Sequence, residues 1–142
     1  MIKKILLSLI IMLLFITGCT NNNKNINSNK SKEVINSVKV VINEKEYLIK
    51  LEDNETVTSF INMLPIELNM NELNGNEKYV YLDNKLPTNT SNLKQINKGD
   101  VMLYGNNCLV IFYKSFKTSY SYIKIGHRDN LPDLGIENII VK

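Results

Sequence analysis

Residues 99–127 read GDVMLYGNNCLVIFYKSFKTSYSYIKIGH, and this stretch decides the fold. It holds four of the chain's seven tyrosines, one of its two cysteines and its only histidine. Val101 to Tyr104, Cys108 to Tyr113 and Tyr120 to Ile125 are apolar runs of strand length divided by polar residues. Gly105, Asn106 and Asn107 make the first connection a tight hairpin. Cys108, Val110 and Phe112 point one way and Leu109, Ile111 and Tyr113 the other, so this run is apolar on both faces. Such a strand fits a barrel wall whose outer face is covered by a helix. In the third run Ile123 and Ile125 share a face with Ser121 that suits the interior; Tyr120, Tyr122 and Lys124 take the other.

Upstream, Val38, Val40 and Ile42 alternate with their neighbours, as do Tyr47, Ile49 and Leu51, around the polar turn Asn43 to Glu46. Two period-2 runs of this kind predict a β-hairpin, with Asn43 able to take a left-handed conformation. Asp53-Asn54 caps a helix with Glu55 in its first turn, and Val57, Phe60, Ile61 and Leu64 form its apolar stripe. Phe60 is its expected anchor, and Pro65 its expected end. Ile66, Leu68 and Met70 predict a strand, Asn74-Gly75 a turn, and Tyr79 to Leu82 a further strand. Asp83 to Lys98 is polar, contains Pro87, and reads as a long loop with a helical turn near 91–95. Downstream, Leu131 to Leu134 suggests one helical turn begun by Pro132 and broken by Gly135, and Asn138 to Lys142 a closing strand. The sum is about eight short strands and one or two short helices, a mainly β sandwich or closed barrel.

The first residues have a different character. Lys3 and Lys4 precede a run from Ile5 to Ile16, twelve residues that are apolar apart from Ser8. That length suits a secretory signal; as a helix it rises only about 18 Å, short of a hydrocarbon core of roughly 30 Å. Ile16-Thr17-Gly18-Cys19 resembles the bacterial lipobox, which implies a lipoprotein signal peptide over 1–18 and acylation of Cys19. The segment 19–37 is rich in Asn, Lys and Ser and is expected to be a disordered tether, leaving a domain over 38–142. The expected location is the cell membrane, lipid-anchored and exposed on the extracytoplasmic side, with the bilayer as a partner through Cys19. The whole chain carries a formal charge of +3, but without Lys3 and Lys4 the balance is fifteen basic against fourteen acidic residues. No nucleic-acid partner is therefore inferred. Once Cys19 is acylated, Cys108 has no cysteine to pair with, and no cysteine cluster suggests a metal.

The strings Gly99 to Tyr104, Asn107 to Tyr113, Ser119 to Tyr122 and Ile125 to His127 resemble the bacterial cyclophilin-like domain family. The Ile42–Tyr47 hairpin, the Phe60-to-Pro65 helix end and Leu73 to Tyr79 agree with it. The resemblance implies a closed eight-stranded cyclophilin-like β-barrel with helices over its openings. It does not transfer an activity. Cyclophilins use an arginine that hydrogen-bonds the twisting prolyl amide, and their Phe-His-Arg and Phe-x-x-Gln-x-Gly-Asp strings are missing here. The single arginine, Arg128, does not match that position.

No catalytic set or cofactor site emerges from the residues. Ser115, Ser119 and Ser121 lie near His127 and Asp129 in sequence, without the elbow that would make a serine nucleophilic. Cys108 in an apolar strand reads as a small buried hydrophobe. With one histidine, no histidine-rich metal site exists, and the spacing of Asp129 and Asp133 matches no metal loop. The absence of tryptophan narrows any aromatic-cage reading. What remains is a candidate binding surface of Tyr104, Tyr113, Tyr120, Tyr122, His127 and Arg128, because tyrosine offers large contact area at little entropic cost. The expected role is a module that binds a small molecule or an extended peptide. The alternatives are a cell-envelope peptidyl-prolyl isomerase and an accessory subunit of another exported protein.

Overall fold

The computed structural model describes residues 35–89 and 93–142. The predicted signal peptide, the acylation site Cys19 and most of the tether lie outside the described residues, as does part of the helical turn expected near 91–95.

The elements in chain order are β1 (Ser37–Ile42), β2 (Lys45–Leu51), α1 (Glu55–Ile61), β3 (Leu68–Leu73), β4 (Glu77–Tyr81) and β5 (Gln95–Ile96). They continue with β6 (Asp100–Tyr104), β7 (Cys108–Phe112), β8 (Phe116–Lys117), β9 (Tyr122–His127) and β10 (Ile139–Val141). Eight strands close into an antiparallel barrel in the order β1-β10-β3-β4-β7-β6-β9-β2, and β5 pairs with β8 in a separate two-stranded sheet. Closure is completed by Ile42 pairing with Val141.

Local sequence explains the pieces. Asn43 and Glu44 both take positive φ (49° and 64°) in the two-residue loop between β1 and β2, the turn whose twist matches the flanking strands. Alternation along β1 and β2 sends Ile42, Ile49 and Leu51 into the barrel. Asn54 caps α1, its side chain accepting from the Val57 amide at 2.9 Å. Its Nδ2 donates to the Lys124 carbonyl at 3.0 Å and so docks the helix start on β9. Val57 and Phe60 enter the core, and Phe60 is 7% exposed. Burying a side chain of that size stabilises by about 1.5–3 kcal/mol. The helix stops at Ile61, earlier than the stripe through Leu64 predicts. Pro65 has no N–H for the Ile61 carbonyl and disfavours helical backbone at Leu64. That carbonyl instead accepts from the Leu64 amide at 3.1 Å, a tighter final turn.

Two further expectations are corrected. No helical turn forms over Leu131 to Leu134. Asp133 accepts from the Gly135 amide at 2.9 Å, a local turn that competes with helix, while Leu131 and Leu134 reach the core from irregular chain. The outer face of β7 is covered by the β5–β8 sheet rather than by a helix. Ile96 and Phe116 pack there on Met102, Val110, Phe112 and Tyr122. Gln95 and Ile96, at the end of the expected long loop, are thus a strand, and Phe116 is packing surface.

The barrel therefore separates two cores. Leu109, Ile111, Tyr113, Ile123 and Ile125 fill the interior with the residues of β1–β3 and α1. Cys108, Val110, Phe112 and Tyr122 belong to the outer layer. Inside, Val40, Phe60, Leu64, Met70 and Ile111 are among the residues lining a cavity of about 230 Å³. Among the described residues, no helix is long and apolar enough to cross a membrane.

Candidate functional site: a tyrosine groove on the barrel wall

The outward positions of four adjacent strands come together on one side of the barrel. The β4–β7 register sets Tyr79 opposite Val110 and Tyr81 opposite Cys108. The β6–β7 and β6–β9 registers set Tyr104 opposite both Cys108 and Tyr122. Period-2 geometry then places Glu77, Tyr79, Tyr81, Tyr104 and Tyr122 on one face, opposite to Lys78 and Val80. The chain after β8 supplies the remaining wall through Thr118, Ser119 and Tyr120.

The result is a groove of about 480 Å³ lined by Tyr79, Tyr81, Tyr104, Tyr120 and Tyr122, with Glu77, Asn76 and Lys117 among its polar members. Tyr122 is buried at its floor, whereas Tyr81, Tyr104 and Tyr120 are 66%, 44% and 61% exposed. The rings contact one another at steep angles. Tyr79 and Tyr81 have centroids 6.0 Å apart at 83°, and Tyr104 and Tyr120 5.9 Å apart at 80°. Tyr104 also leans on Tyr122 at 5.5 Å, and Tyr122 meets Phe112 edge-on at 5.5 Å. The floor is thereby fixed by the outer core, while the rims stay open.

Burial raises the Glu77 carboxyl above its ordinary value, and the nearby Glu72 charge adds to the shift. Burial also pushes the Tyr122 phenol up to about 12, with Glu77 adding to it. The Cys108 thiol is raised for the same two reasons, burial first, which leaves it protonated and a poor nucleophile.

The other predicted site residues lie elsewhere. Tyr113 is 1% exposed inside the barrel, not on a surface with the others. Its hydroxyl donates to Glu72 at 3.2 Å, and Lys78 and Lys114 approach its ring. His127 and Arg128 sit at the far end of β9. There the buried Asp100, absent from the predicted set, accepts from the Asn97 amide at 2.8 Å, with Lys124 Nζ at 3.2 Å and His127 Nδ1 at 2.8 Å. On a regular strand, residues three apart point to opposite faces. Lys124 and His127 reach the same Asp100 oxygen because the β6–β9 register shifts between Val101 and Met102. His127 Nε2 lies 3.2 Å from Asp129, so both ring nitrogens face carboxylates and neither is left for a serine. This cluster ties β6 to β9. Among the described residues, no group of three or more His, Cys, Asp or Glu forms a metal site.

Tyr79, Tyr81 and Glu77 line the groove but are absent from the surface expected from the sequence. The Tyr79/Tyr81 alternation was visible, but only the β4–β7 pairing brings it beside Tyr104.

The model of the cyclophilin-like family covers residues 40–141, and the chain belongs to that family. Neither the curated proteins nor the solved structures give a match.

Proposed function

We propose that this protein is a binding module, held at the extracytoplasmic face of a membrane by acylated Cys19, whose tyrosine groove receives a small molecule or an extended peptide. The single observation carrying this reading is the groove itself: about 480 Å³ lined by five tyrosines, three of them more than two-fifths exposed. Exposed aromatic side chains gathered at one concave place are costly to leave in water and are suited to recognition. The fold alone argues for no activity. Among the described residues no arginine lines the groove, so an isomerase reading lacks the amide donor that cyclophilins use.

The test is NMR of the full chain in detergent micelles with isotope-labelled tyrosine, titrated with a pool of five-residue peptides. The expected result is shifts at Tyr81, Tyr104 and Tyr120 that vanish in Tyr104→Ala and Tyr120→Ala. A pool that leaves all groove tyrosines unmoved overturns the reading. The anchor is tested separately: wild type should partition into the detergent phase and Cys19→Ser into the aqueous phase.

A further inference from the structure

The groove combines aromatic walls with an acid that has no partner among the described residues. Glu77 lines it, and no hydrogen bond or ion pair to the Glu77 carboxylate forms among the described residues. A half-buried carboxylate in that position has given up water without gaining a cation. Its raised proton affinity records the same imbalance. At the same end, the Asn76 side-chain oxygen is buried and accepts no hydrogen bond among the described residues. One end of the groove thus offers negative charge and an acceptor, both unmet.

The tyrosine walls favour the same sign of charge. The face of an aromatic ring is electronegative and attracts cations. Ring geometry adds shape. A flat ligand is best received by parallel rings, whereas Tyr79/Tyr81 and Tyr104/Tyr120 meet at 83° and 80°. Walls at right angles surround a rounded group. Among the described residues the one basic side chain in the lining is Lys117, which is exposed on the β8 side.

We propose that the groove takes a substituted ammonium ion, its alkyl carbons against Tyr79, Tyr81, Tyr104 and Tyr120 and its charge toward Glu77 and Asn76. This rests on the groove being the binding site. The shared chemistry is met by a choline-type head group and by a lysine side chain, and the experiment separates them.

The full chain in detergent micelles is titrated with choline, with N-acetyl-lysine amide and with 3,3-dimethylbutan-1-ol, the neutral alcohol of choline's shape. At least one cation is expected to bind about tenfold or more tightly than the alcohol, the range of a partly desolvated cation–π contact. Whichever cation prevails identifies the source. Glu77→Gln, nearly isosteric, should shrink the preference, and the exposed Tyr120→Ala should weaken the cation while leaving the fold intact. Equal binding of choline, lysine amide and alcohol overturns the ammonium assignment but keeps the groove. So does a response to the peptide pool with none to either cation. No response of the groove tyrosines to any probe or to the pool overturns both.

Discussion

The ammonium of Lys78 lies inside the closed barrel, 5.2 Å from the centre of the Tyr113 ring. It is 0% exposed and donates to the carbonyls of Gly135 and Glu137, each at 2.6 Å. A lysine so enclosed is tolerated because its three protons meet two carbonyls and a ring face. Burial lowers its proton affinity, against the pull of Glu72, Asp133 and Glu137. Lys78 therefore fastens the 135–137 segment, which leads into β10, to the barrel interior.

Lys78→Met keeps most of the volume and orphans those two carbonyls. Losing both charge-assisted bonds, partly offset by removing a buried charge, costs about 1–3 kcal/mol net. Urea unfolding is expected to show a loss in that range, and a midpoint equal to wild type would refute the fastening role.

Tyr113 and Tyr122 give the barrel a defined alkaline limit. Burial comes first in raising both phenols to about 12. A phenol in an unfolded chain ionises near 10, so between about 10 and 12 the folded state holds more protons than the unfolded one. Their contribution is full below that window and is lost as pH rises through it. Tyr113→Phe should flatten the decline, read as the urea midpoint against pH. An unchanged slope would count against the assignment.

Glu77 has the opposite cost. Its carboxyl is raised in the folded state, so the native protein is penalised at neutral pH and relieved once the carboxyl is protonated. Glu77→Gln is expected to be more stable than wild type at pH 7 and to lose that advantage below about pH 4.3. Paired melting curves at the two pH values check this. Such a gain also separates a residue kept for binding from one kept for the fold.

Gly126 marks where β9 approaches β2. A Cβ there would lie 2.4 Å from the Lys50 carbonyl oxygen and 2.9 Å from Ile49 Cγ2. Gly126→Ala should destabilise by about 1–3 kcal/mol through overpacking. Gly105→Ala makes the comparison informative, since no atom lies within 4 Å of its added Cβ and only its positive φ of 60° is strained. Chemical unfolding of the two variants should rank Gly126→Ala as the less stable.

The legible part of the fold was the part written in local periodicity. Alternation along Val38–Leu51, Cys108–Tyr113 and Tyr120–Ile125 specified strands and which side chains share a face. It could not say which face of Cys108–Tyr113 is inside, because both are apolar. Tyr113, expected on an outer surface, shares a side with Leu109 and Ile111 and lies inside. The β5–β8 cover was hidden because two-residue strands carry no period. At the site, Tyr104, Tyr120 and Tyr122 are legible because they lie within the one stretch 99–127. Tyr79 and Tyr81 join them through pairing with a strand nearly thirty residues away, information that no local pattern holds. Asp100 escaped for a related reason: its partners converge only where the β6–β9 register slips.

The Ile42–Val141 pairing also orders events in time. β10 is three residues long and sits between β1 and β3, so the ring has a gap until the chain reaches Val141. As the polypeptide emerges residue by residue, every earlier strand is available while the first and third still present bare edges, the form most prone to pairing with a neighbour. The three residues of β10 thus cover the edges of β1 and β3 at once.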